Sequence, residues 1–135
     1  MLTQSNETFF TCIGCMDGRV QDVAALFGRK EFGAIYADAI TEAGMVGILA
    51  KEDIEPAFAA SLKYKIVDVS IGVHKSSGIV VHGHTKCAGN PVEDSQQKSD
   101  IKKSVHYIQS FVDIPIIGLF IYRGKDGKWI EKRIV

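Results

Sequence analysis

Apolar residues fall in short runs separated by glycines and charged stretches, and the period of each run predicts its element. Phe9-Phe10-Thr11-Cys12-Ile13 is short, aromatic and β-branched, and Gly14 closes it, which predicts a first strand. Val20, Val23, Ala24, Leu26 and Phe27 then recur at helical spacing, so a helix is expected to end at Gly28 and the charged Arg29-Lys30-Glu31. Residues 33–40 alternate and carry Ile35, Tyr36 and Ile40, which predicts a second strand running into Thr41-Glu42-Ala43-Gly44. A looser segment follows Gly44. Residues 54–62 carry helical signals, with Pro56 near the helix start.

Ile66, Val67, Val69, Ile71 and Val73 would suit a strand by alternation. The βαβ rhythm and Gly78 just beyond favour a helix that feeds the next strand, and a helix is expected. Ile79-Val80-Val81 reads as a buried strand that delivers His82-Gly83-His84-Thr85-Lys86-Cys87. Ile101, Val105, Ile108 and Phe111 mark a third helix, and residues 114–122 have the nearly continuous apolar pattern of a central strand. Lys125-Asp126-Gly127-Lys128 carries a hairpin signal, so residues 129–135 should return as an edge strand. The expected fold is α/β: one domain over residues 1–135, a mainly parallel central sheet flanked by helices, and a C-terminal hairpin edge strand.

Composition narrows the partners. A chain of 135 residues with 46% hydrophobic side chains can bury one core. Sixteen basic and sixteen acidic side chains cancel, and no stretch is strongly basic, so neither nucleic acid nor an anionic membrane surface is an expected partner. A small-molecule substrate is. Thr3, Gln4, Ser5, Asn6 and Glu7 are polar where a signal peptide needs an apolar core, and no apolar run is long enough to span a bilayer. A soluble, cytoplasmic chain is expected, and its three cysteines then favour metal binding or thiolate chemistry over disulfides.

Cys15 lies just past the first strand, and His84 and Cys87 lie just past the third. In an open α/β sheet, ligand-binding groups gather outside the carboxyl ends of the strands, so these three residues could hold one zinc ion. Closed structural zinc sites usually have four protein ligands, whereas three leave a position for water or substrate. Asp17 and Arg19 follow Cys15 closely. A carboxylate beside a metal can ligate it or accept a hydrogen bond next to it, and an adjacent arginine keeps that carboxylate ionised and aimed. The plainer reading is an Asp-Gly turn with a solvated arginine. Cys12 with Cys15 forms a Cys-x-x-Cys, which leaves a redox pair, a fourth metal ligand or simple core packing open for Cys12. His82 is either a proton relay or a polar rim residue, His74 and His106 are expected on helix surfaces or interfaces, and Glu42 is a general base or a capping carboxylate.

Cys15-x-Asp17-x-Arg19 followed by His84-x-x-Cys87 in an α/β chain resembles the β-class carbonic anhydrases. The resemblance implies that Cys15, His84 and Cys87 bind zinc and that Asp17 and Arg19 form a catalytic dyad. It implies reversible hydration of carbon dioxide to bicarbonate, in a homodimer or dimer of dimers with sites near the subunit boundary. Hydrolysis of carbon disulfide or carbonyl sulfide at the same site, as in similar proteins, and a zinc protein without turnover are the alternatives. The chain departs from the family in three places: Gly18 stands where serine is usual, Ala88-Gly89 follow the last ligand where glycine follows directly, and Thr41-Glu42-Ala43-Gly44 replaces Arg-Asn-Ala-Gly. The N-terminal helices that embrace a partner subunit in the family are not expected before the first strand.

Overall fold

A computed structural model describes residues 7–135; Thr3, Gln4, Ser5 and Asn6, read above as unlike a signal peptide, lie outside the described residues. Five strands form one sheet: β1 (Phe9–Gly14), β2 (Tyr36–Thr41), β3 (Ile79–His84), β4 (Ile116–Arg123) and β5 (Trp129–Arg133), in the order β2-β1-β3-β4-β5. The first four pair in parallel and β5 returns antiparallel to β4. The expected hairpin is present, with Gly127 at φ +82° in its turn. Among the described residues no helix is long and apolar enough to cross a membrane.

From β1 the chain moves outward to β2, then returns to lay β3 on the other side of β1. This reversal makes the carboxyl ends of β1 and β3 the topological switch point of the sheet, where crossovers diverge and leave a crevice. Cys15 follows β1 and His84 ends β3, so the fold itself brings the two sequence regions together. Both faces of the sheet are covered. Helix α1 (Gln21–Phe32) covers one face, its Val23, Ala24 and Phe27 packing with Phe10, Cys12, Val80, Leu119 and Ile121. Helices α2 (Met45–Leu49), α3 (Pro56–Lys63) and α4 (Asp94–Gln109) cover the other, where Leu49, Leu62, Ile101, Val105 and Ile108 meet Ile13, Ile79 and Val81. Strand β4 contributes to both clusters through Ile117, Leu119, Ile121 and Phe120, which explains its unbroken apolar sequence.

Helix α3 begins with Pro56 in its first turn, where a missing N–H costs nothing, and the Glu55 carboxylate accepts from the N–H groups of Ala57 and Phe58. It continues as a π-helical stretch over Tyr64–Ile71. The helix expected there is present because the buried residues are Ile66 and Ser70, four apart, while Val67 and Val73 are exposed. Ser70 carries a buried hydroxyl and places it 2.6 Å from Thr11 Oγ1 and 2.7 Å from Asp38 Oδ2, which satisfies its hydrogen bonding. The loose segment expected after Gly44 contains the short α2, and the second strand starts at Tyr36, three residues later than its alternation suggests.

The end of α1 differs from expectation. Gly28 does not stop the helix, which runs on to Phe32 and closes on Gly33 in the left-handed conformation at φ +62°. Gly28 is glycine for a tertiary reason: a Cβ there would lie 2.0 Å from Phe10 Cε2, so the ring of β1 occupies the space of a side chain.

Glycine to alanine inside a helix ordinarily stabilises by about 1 kcal/mol. Here the sign should invert, with Gly28→Ala destabilising by about 1–3 kcal/mol through overpacking. Urea unfolding checks this, and Phe10→Leu should remove part of the penalty in the double variant; a stabilised Gly28→Ala would contradict the packing described.

Candidate metal centre

Cys15 and Cys87 bring their sulfurs to 3.6 Å from each other, and with a His84 ring nitrogen all three ligand atoms lie within 4.8 Å of one another. Two sulfurs each about 2.3 Å from one tetrahedral zinc would be about 3.7 Å apart. The three side chains are buried, and neither cysteine is in a disulfide.

Backbone geometry fixes each ligand. The Gly44 N–H donates to Cys15 Sγ at 3.5 Å, and Gly44 sits at φ +64° with its Cα against Gly89, where a Cβ would lie 2.3 Å from the Gly89 carbonyl oxygen. The loops after β2 and β3 thus touch through backbone beside the thiols. Lys86 adopts φ +52°, a left-handed conformation uncommon for a lysine, and turns the chain sharply between His84 and Cys87. That turn is tied to α4 where Thr85 Oγ1 donates to Asp94 Oδ1 at 2.8 Å.

His84 Nδ1 lies 2.9 Å from the Thr85 carbonyl oxygen, which can only accept, so Nδ1 carries the proton and Nε2 presents a lone pair. Nε2 is buried without a hydrogen-bond partner among the described residues. Its nearest charged neighbour is Asp17 Oδ2 at 3.9 Å, a second acceptor. Burial, followed by the neighbouring Cys15 sulfur, pushes the Cys87 thiol up. An imidazole lone pair and two close sulfurs, all within 4.8 Å of one another, make the donor set of a cation site, and Zn2+ fits it by ligand type and spacing.

Asp17 and Arg19 form the expected pair. Arg19 Nη2 donates to Asp17 Oδ2 at 2.6 Å and Nε to Oδ1 at 3.0 Å, and the Arg19 backbone N–H adds a third bond to Oδ1 at 2.9 Å. The guanidinium hydrogen bond is the main reason that the Asp17 carboxyl is lowered to about 2. Its charge is therefore present at any physiological pH. Arg19 is itself placed by Trp129 of β5, with the guanidinium carbon 5.0 Å from the ring centroid. Gln21, the first residue of α1, donates from Nε2 to the carbonyl oxygens of Cys15 and Asp17, both at 2.8 Å.

Three of these contributors were not legible in the sequence. Trp129 is over a hundred residues from Arg19, Gln21 looks like an ordinary helix start, and nothing marks Lys86 as left-handed.

The remaining candidates separate. Cys12 is away from the trio, packed in the α1-side core, where burial pushes its thiol up to about 12. His106 is exposed on α4 as expected. His74 lies just beyond the π-helical stretch, stacked on Phe9 at 4.0 Å with Nδ1 2.8 Å from Asp38 Oδ2. Glu42 is exposed. His82 is no rim residue: it is fully buried, neither ring nitrogen has a partner, and its ring fills the space over Gly14, where a Cβ would lie 2.1 Å away. Burial, then the nearby His84, lowers its pKa to about 4.

Residues 5–131 match the model of a protein family described as "Putative carbonic anhydrase". No curated protein sequence matches the chain. Among solved structures, the chain is similar to the β-carbonic anhydrase CafA of the fungal pathogen Aspergillus fumigatus, with a TM-score of 0.54 over 95% of this chain and 76% of that one. The two are 13% identical in sequence, so the likeness is one of fold.

His82 supplies a pH test of this packing. Its folded pKa near 4 lies below the unfolded value near 6.5, so the unfolded chain binds more protons between them. Stability should therefore fall as the pH drops from about 6.5 to about 4, by on the order of 3 kcal/mol from this group. Urea unfolding of metal-free protein at several pH values should show a flatter acid decline in His82→Leu than in wild type. Equal slopes would mean that His82 takes up its proton as readily in the fold as in the unfolded chain.

Proposed function

The chain belongs to the carbonic anhydrase family matched over residues 5–131, with a β-class fold, and on that premise we propose that it hydrates carbon dioxide reversibly to bicarbonate with zinc held by Cys15, His84 and Cys87. The observation that carries the reading is the unpartnered, buried His84 Nε2 facing two sulfurs 3.6 Å apart, with the Asp17 carboxylate 3.9 Å away. Zinc held there would lower the pKa of a bound water from about 15.7 to about 7 and so would supply a hydroxide nucleophile at neutral pH.

The residues of the chain then do three things. His84 is held by the Thr85 carbonyl in the tautomer that ligates through Nε2. Asp17, ionised and gripped by Arg19, would orient the attacking oxygen by accepting a hydrogen bond from it. Arg19 restrains that carboxylate from moving in as a fourth ligand, because its guanidinium and backbone N–H already engage both oxygens. The proposal takes the protein to act as a homodimer, for which the edge strand β2 offers a margin unpaired among the described residues and headed by the exposed Ile35 and Tyr36.

Two measurements test the reading. Cys87→Ser should lose stoichiometric zinc by elemental analysis after dialysis, and full retention would remove the ligand assignment. In stopped-flow hydration assays, Arg19→Ala and Asp17→Asn should keep zinc yet lose about a hundredfold in rate, the scale of losses when groups around a metal's ligands are removed. Inactive zinc-loaded wild type would sink the catalytic reading, and unchanged rates in both variants would reduce Asp17 and Arg19 to a structural turn.

A further inference from the structure

The loop that runs from the buried Cys15 to Asp17 and Arg19 has little packing at Met16 and Gly18. Met16, between them, is 62% exposed, and Gly18 meets nothing within 4 Å of where a Cβ would stand. A thiolate ligand and an orienting carboxylate on such a loop need other restraint, because errors of well under an ångström matter at a metal site. Arg19 restrains the Asp17 side chain, and the Val20 N–H reaches the Asp17 carbonyl only at 3.3 Å.

The two short bonds to the loop backbone both come from Gln21. Its amide NH2 has two hydrogens, and the 2.8 Å distances to the Cys15 and Asp17 carbonyl oxygens account for both. The same side chain is anchored from below, since Gln21 is the first residue of α1 and follows the fully buried Val20. We propose that Gln21 is a positioning residue of the metal centre, a two-pronged clamp that sets the Cys15 sulfur and the Asp17 carboxylate relative to each other. The proposal rests on the metal reading given above. It assigns Gln21 no contact with substrate or metal.

The chemistry makes the substitution series informative. Gln21→Glu keeps length and shape but replaces the donor pair with a carboxylate that repels two carbonyl oxygens. An acid in the first turn of a helix is itself favourable, so this variant should keep α1 intact. Gln21→Met keeps most of the volume and donates nothing.

Cobalt(II)-loaded protein gives readouts that do not depend on turnover. The visible absorption of cobalt bound by two thiolates and an imidazole reports the number and geometry of its ligands, and the rate of cobalt release to an excess of chelator reports how firmly they are held. Relative to wild type, Gln21→Glu should shift the visible bands and release cobalt about tenfold faster, the scale of affinity losses when a ligand's supporting partner is removed. Gln21→Met should move both readouts in the same direction by less. If Gln21→Glu does not fold, Gln21→Met decides by the same two readouts. Wild-type bands and release rates in the folded variants would overturn the proposal, and so would a lowered unfolding midpoint with unchanged bands, which marks a merely structural tie. Because both readouts need bound metal and no hydration, they decide on Gln21 whether or not loaded wild type turns over carbon dioxide.

Discussion

Everything at the candidate site depends on the parallel pairing of β1 with β3 in a register that sets Gly14 opposite His82. Parallel neighbours end on the same side of a sheet, so this pairing delivers Cys15 and His84 to one edge although they stand sixty-nine positions apart in the chain. The pairing also demands a glycine. The His82 ring occupies the volume that any side chain at position 14 would need, and the backbone of β1 can run that close only because none is there.

The site brings two sulfurs to 3.6 Å from each other with an imidazole nitrogen beside them. The Asp17 carboxylate stands 3.9 Å from that imidazole, and the Gly44 N–H and the Arg19 guanidinium donate to the Cys15 sulfur and to the carboxylate respectively. Metal binding at such an arrangement would be coupled to folding, since ligation requires deprotonated thiols held together by the fold. The rigid backbone contact of Gly44 with Gly89 and the left-handed turn at Lys86 resist collapse of the loops around that cluster. Trp129 extends the same frame outward, so the antiparallel edge strand, far from the ligands in sequence, helps hold the arginine of the dyad.

Much of this was legible in the chain by itself. Short β-branched runs bounded by glycine marked the strands, the continuous apolar stretch marked β4 as covered on both faces, and the spacing Cys15-x-Asp17-x-Arg19 with His84-x-x-Cys87 marked the residues that come together. These signals are local: backbone preference and burial on one face act within a few residues, so they leave a period in the sequence. Gly28 misled because a helix-breaking residue and a residue that makes room for a ring look identical in one dimension. His82 misled because two residues from His84 on one strand face gives no hint of depth. The sequence determined most of the elements that form and which side chains meet at the candidate site. Tertiary structure alone decided that Gln21 bridges two carbonyls, that Trp129 lies under Arg19 and that His84 presents Nε2, because each depends on distances between segments that only packing brings within hydrogen-bonding reach.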